Sequence, residues 1–195
     1  IVDMKGMSGL DRQRVDSSKR HWVPAKLKVT EDSGTKEIFK VKARSKGDRA
    51  LHVTSFEEMS FKIDVKGSKR LNGMEEFSIQ RPIIRNYGWE MLINSVGSKL
   101  GLMAPDTIPV NFYFNGVNRG IYILEEGFGS EFLERRGRKV GPLFSLNEPL
   151  GEKFPLVIYE AYETKKIGVD NEIIYDNARL KLIDFKKSYK EAGFD

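Results

Sequence analysis

The chain has 195 residues, a net charge of +5, and is 39% hydrophobic and 11% aromatic. That is enough for one domain with its own core, or one domain and part of a second. No apolar run approaches the ~20 residues of a membrane helix. The lack of cysteine excludes disulfides and Cys-ligated metals, and two histidines, His21 and His52, cannot make a His-rich metal site in one chain.

Charge is uneven. Residues 1 to 145 carry +7 and the remainder −2, so the front could meet phosphates, anionic lipid or nucleic acid, although a solvated basic surface is the commoner meaning. Residues 1 to 21 are polar and weakly patterned and read as an entry arm. Ile1 to Gly9 contains no apolar stretch of the signal-peptide kind. A start at Ile1 rather than Met points to processing, truncation or an earlier start.

From Trp22 the pattern has a period of two. Leu27 and Val29 oppose Lys26 and Lys28; Phe39, Val41 and Ala43 alternate with Lys40, Lys42 and Arg44; Phe61, Ile63 and Val65 alternate with Ser60, Lys62 and Asp64. This predicts half-buried antiparallel strands, with Asp32-Ser33-Gly34 and Asn72-Gly73 as turns. Trp89, Leu92, Ile93, Val96 and Leu100 then fall at helical spacing, predicting a helix capped by Asn86, stopped by Gly101 and packed on the sheet. Val110 to Phe114 and Gly120 to Leu124 flank Asn115-Gly116, the strongest short-range hairpin signal. A short charged helix over Ser130 to Arg138 and strands at Gly141 to Ser145 and Phe154 to Tyr159 follow. An amphipathic helix from Asp176 to Ala192, with Ala178, Leu182, Phe185 and Tyr189 as its stripe, closes the chain. The order defines an α+β class: a small antiparallel sheet with a packed helix.

Generic catalytic motifs are absent: no Walker loop, no GxSxG, no HExxH and no EF-hand loop. Gly127-Phe128-Gly129 is a GxG fragment without a third glycine. Lys62, in mid-strand, could reach nucleotide phosphates and be held by Glu90 on the following helix, as protein kinases hold their strand lysine. An exposed strand lysine is the commoner meaning of such a position. Arg44, Lys46 and Arg49 crowd a turn at Gly47, a possible phosphate cradle. Glu125 and Glu126 are adjacent on one strand, so at most one of them enters any single site.

The segment from about Val41 to Glu148 resembles the CotH kinase-like family, the spore-coat kinase type. The resemblance rests on Lys46-Gly47-Asp48, Ser60-Phe61-Lys62-Ile63, the helix ending in Leu100-Gly101, and Asn115-Gly116 with Gly120, Tyr122 and Glu126. Phe132-Leu133 with Arg135 and the strand Gly141 to Ser145 complete it. It implies the N-terminal lobe of an atypical protein kinase, binding ATP with Mg or Mn and phosphorylating protein Ser, in a bacterial surface or secreted protein. Carried over by position, Lys46 and Gly47 form the basic turn near the phosphates, Glu126 is the hairpin glutamate, and Phe144 stands where an aromatic can stack on adenine. Lys62 lies near the family's lysine, whose own place is taken by Met59. Trp89 replaces a common arginine and Gly129 an aspartate.

The expected organisation is an arm (1–21), a lobe (22–150), and a strand and helix (151–195) leading to a second lobe missing from this sequence. The metal-binding aspartates of the family belong to that lobe, so no catalytic residue and no metal ligand is assigned here, and the chain alone is expected to be inactive. Its partner is a protein substrate or, in the alternative, an assembly partner for a non-catalytic scaffold. Nucleic acid is not expected.

Overall fold

The computed structural model describes residues 2–4, 21–46, 58–139, 143–147, 158–162 and parts of 176–192. It divides into two units, Ile1–Gly127 and Phe128–Asp195.

The first unit is built from strands β1 (Val2–Met4), β2 (Val23–Thr30), β3 (Lys36–Ser45), β4 (Phe61–Val65), β5 (Glu76–Gln80), β6 (Thr107–Phe114) and β7 (Val117–Glu126). They pair in the order β1-β2-β3-β4-β5-β7-β6, antiparallel throughout β2 to β7. The circuit closes through β1, which runs antiparallel to β2 and meets β6 at a single parallel partnership, Val2 with Phe114. The expected antiparallel sheet is therefore present, curled on itself. Alternation explains the curl. Phe39, Val41, Phe61, Ile63, Val65, Phe77, Ile79, Phe112 and Phe114 all turn inward and are nearly inaccessible, with Phe61 lying 5.3 Å from Phe114 and 5.7 Å from Phe112, centroid to centroid.

The Asn115-Gly116 hairpin has the two-residue turn its sequence demands. Asn115 (φ 50°) and Gly116 (φ 80°) are both left-handed, and Phe114 faces Val117 across it, the signature of a type I′ turn. Between Asn111 and Tyr113 the register slips by one, so β7 carries an extra residue beside Gly120 (φ 80°). The Asn118 carboxamide oxygen accepts from Gly120 N–H at 2.8 Å.

Helix α1 (Trp89–Lys99) corrects two expectations. Asn86 is not its cap. Asn86 and Tyr87 are left-handed (φ 48° and 53°) within a 3-10 segment, Pro82–Gly88, and the cap is Gly88. The end is as expected: Gly101 (φ 78°) donates to Ser98 O and Leu102 N–H to Gly97 O, a complete Schellman arrangement. The apolar stripe, however, does not pack on the sheet. Trp89, Leu92, Ile93, Val96 and Leu100 are exposed, and no residue of the helix is buried. The physical reason lies in the sheet. Its inner face is filled by its own strands, while the outer face of β4 and β5 carries Lys62, Asp64, Glu76 and Ser78.

In the second unit, α2 (Ser130–Glu134) buries Phe132 and Leu133. Phe128 meets Phe132 edge-on at 4.9 Å, and the Arg136 guanidinium lies 3.9 Å from the Phe132 ring centroid. Strands β8 (Leu143–Asn147) and β9 (Ile158–Tyr162) form an antiparallel pair. The described residues of the closing helix are helical, but its stripe (Ala178, Leu182, Phe185, Tyr189) lies outside them.

Candidate functional site

One rung of the sheet's outer face gathers charge. Arg44, Lys62, Ser78 and Glu125 are successive cross-strand partners on β3, β4, β5 and β7. Lys46 follows the end of β3, tied back by its N–H to Ser60 O at 2.8 Å. Its Nζ reaches Glu125 Oε1 at 3.3 Å. From the 3-10 segment Arg85 straddles the same carboxylate, with Nη2 at 2.7 Å from Oε2 and 2.9 Å from Oε1, and its Nη1 holds Glu90 Oε2 at 3.0 Å. The chain is Lys46–Glu125–Arg85–Glu90.

Glu125 is almost wholly buried between two cations, which is what a carboxylate needs to stay charged out of water. Lys46 and Arg85 each keep a quarter of the side chain open, and Glu90 about a third. Burial holds the Lys46 ammonium below its ordinary pKa; Arg85 and Lys62 push the same way and Glu125 opposes them. Burial likewise raises the Glu90 carboxyl above its ordinary value, helped by Glu125 and opposed by Arg85 and Lys46. An amine of this kind can meet a phosphate at low desolvation cost, since its water has largely been removed already.

The expected candidates separate. Lys46 is in the cluster; Gly47 lies outside the described residues. Lys62 and Glu90 do not pair with each other: Lys62 Nζ is 2.5 Å from Glu76 Oε1, and Glu90 belongs to Arg85. Both still face Lys46 electrostatically. Glu126 points the other way. It shares the inner face with Phe77 and Leu124, and its Oε2 accepts Asp106 N–H at 3.0 Å. Phe144 pairs with Ala161 through its backbone on β8, and its side chain is outside the described set.

Arg85 is the residue sequence reasoning missed, and of the adjacent glutamates the resemblance carried over Glu126 where the structure puts Glu125 in the cluster. Glu125 had a signal: with Tyr122 and Leu124 facing the core, the next residue must face out. Arg85 had none, since it depends on left-handed turns at Asn86 and Tyr87. Gly127 is a structural glycine. A Cβ there would lie 2.6 Å from Glu76 O, to which Gly127 N–H bonds at 2.8 Å.

A metal fits poorly among the described residues, where no three His, Asp or Glu side chains cluster. Lys46 and Lys62 stand on one face, each in an ion pair, with Glu125 and Glu76 respectively.

The profile of the CotH kinase protein family matches residues 43–190, so the chain belongs to the CotH family. No curated protein matches it at a significant level. Among the described residues no helix is long and apolar enough to cross a membrane.

Proposed function

We propose that this chain is the nucleotide-binding portion of a CotH-type atypical kinase, resembling a kinase N-terminal lobe, which takes ATP with Mg or Mn for transfer to protein Ser. The observation that carries the reading is Lys46: a cation fixed by a buried glutamate, partly open, inside the family match. Kinases position phosphates with such a pair. Lys46 would face the phosphates, with Lys62 beside it, Glu125 holding Lys46 and Arg85 holding Glu125. Gly47 and Phe144 complete the proposed site, as turn and adenine platform, and Glu126 buttresses β7 from its inner side. The metal supplies charge neutralisation on the phosphates when bound; its carboxylate ligands are assigned to a second lobe.

A second reading has its own support. It is a non-catalytic scaffold or assembly module on the same lobe, supported by the Lys46–Glu125–Arg85–Glu90 chain being closed by its own ion pairs. Displacement of a fluorescent ATP analogue tests the first reading. ATP should compete much better than adenosine, and binding should weaken as salt rises; equal competition by adenosine would remove the phosphate role. With labelled ATP, Mg or Mn and a Ser-rich protein, the chain alone should transfer no phosphate. Stoichiometric metal-dependent transfer would contradict the assignment of the metal ligands elsewhere.

A further inference from the structure

Strand β7 outruns its neighbour β5. Their last partnership is Gln80 with Ile123, beyond which β5 gives way to Arg81 and Pro82 while β7 extends back to Val117. A cavity of about 370 Å³ occupies this corner, lined by Glu58, Arg81, Pro82, Arg119, Ile121 and Tyr122 together with Asn118. None of these residues belongs to the Lys46–Glu125–Arg85–Glu90 chain.

The β7 bulge brings the polar groups together. Tyr122 faces inward, its ring against Phe112 at 4.7 Å. Three positions away on a regular strand, Arg119 would face the other side. The register slip sets both Arg119 and Gly120 opposite the inward Phe112, and so returns Arg119 to the side of Tyr122. Arg81, two positions after the inward Ile79, comes to the same corner from β5.

The charges there do not balance. Glu58 takes the Arg81 guanidinium, Oε2 to Nη2 at 3.0 Å. Among the described residues no carboxylate pairs with Arg119, and its Nε is buried without an acceptor. Asn118 is engaged with Gly120 N–H and the Tyr113 hydroxyl. Tyr122 is 4% exposed, and among the described residues nothing accepts from its hydroxyl. Burial raises the Tyr122 pKa; Arg81 and Arg119 oppose this and Glu58 adds to it. The hydroxyl therefore remains a donor at neutral pH, with both guanidiniums close enough to act on it.

A guanidinium and a hydroxyl turned to one cavity, with no acceptor of the protein's own, make an anion site. Since Arg81 and Glu58 offset each other, one positive charge is left. That matches a single carboxylate better than a phosphate dianion, which Glu58 would repel. We propose that this corner binds a carboxylate, held by the Arg119 guanidinium and the Tyr122 hydroxyl, with its carbon stem against Pro82 and Ile121. The cavity has room for more than the carboxylate alone, so an acidic side chain of a peptide and a small dicarboxylic acid share the required chemistry. The site is independent of the nucleotide reading.

The probes are glutarate and a capped tripeptide with a central glutamate. Glutaramide, the same tripeptide with glutamine, and inorganic phosphate are the controls. Backbone amide resonances of Gly120 and Ile121 in the 195-residue chain report binding at fixed ionic strength. At least one carboxylate should shift them saturably and the neutral controls should not; the tighter of the two identifies the source. Arg119→Gln should weaken binding about tenfold or more, and Arg119→Lys should recover part of the loss. Tyr122→Phe, which keeps the ring on Phe112, should weaken it roughly threefold. Equal shifts by the neutral controls, or no saturable shift by either carboxylate, would overturn the proposal. So would an unchanged affinity in Arg119→Gln, or inorganic phosphate binding more tightly than glutarate. ATP with Mg²⁺ should not displace the carboxylate; displacement would make the corner part of a phosphate site and overturn the proposal too.

Discussion

The strand core and helix α1 carry similar runs of large apolar side chains and end in opposite environments. Phe61, Phe77 and Phe114 are at most 2% accessible, whereas Trp89, Ile93 and Leu100 on or beside the helix are at least 65% accessible. Periodicity tells which residues share a face, and it did so correctly for both. It does not tell whether the chain supplies the facing surface. A curled sheet supplies its own, because each strand's inner side chains meet those across the barrel. An amphipathic helix beside a polar sheet face does not.

Substitutions break or sharpen that contrast. Phe61→Ala should cost the most, about 3–5 kcal/mol, because it empties the aromatic centre formed with Phe112 and Phe114. Chemical denaturation measures it, and a loss below 1 kcal/mol would contradict the packed core. Asn115→Val with Gly116→Val should follow at roughly 2–4 kcal/mol, since left-handed backbone costs a branched residue about 1–2 kcal/mol at each position. Gly97→Ala should stabilise by about 1 kcal/mol. Its new methyl would meet Ala104 Cβ at 3.6 Å, an ordinary contact, while helix propensity improves. Ile93→Ser should change stability by no more than about 0.5 kcal/mol; a larger loss would mean the helix face is covered within the chain.

The smallest effect concerns pH. The raised Glu90 carboxyl binds its proton more readily in the folded state, so its contribution is present below pH 4.5 and is lost as pH rises through the raised value. Glu90→Gln should remove that part of the stability slope just above pH 4.5. An unchanged slope would place Glu90 outside the cluster.

Much of the fold was legible in the sequence: the alternation of β3 and β4, the Asn115-Gly116 turn and the Gly101 stop are local rules with one dominant cause each. The start of α1 was not, because Asn86 satisfies a capping rule yet lies in a left-handed turn that aims Arg85 at Glu125. The site was half legible. Lys46 stood out by charge and glycine neighbours, but its partner depended on which of two adjacent glutamates faces outward. Lys62 and Glu90 were paired by analogy; nearer partners, Glu76 and Arg85, take them.

The central claim is that Lys46, held by Glu125, binds nucleotide phosphate. Calorimetric titration of ATP with Mg²⁺ into the chain and into Lys46→Met tests it most directly. A charge-assisted contact is worth about 1.5–3 kcal/mol, so affinity should fall roughly tenfold to a hundredfold, read well below the lowered melting temperature expected once Glu125 loses one of its two cations. Equal affinity of the two proteins, with adenosine binding as well as ATP, would contradict it.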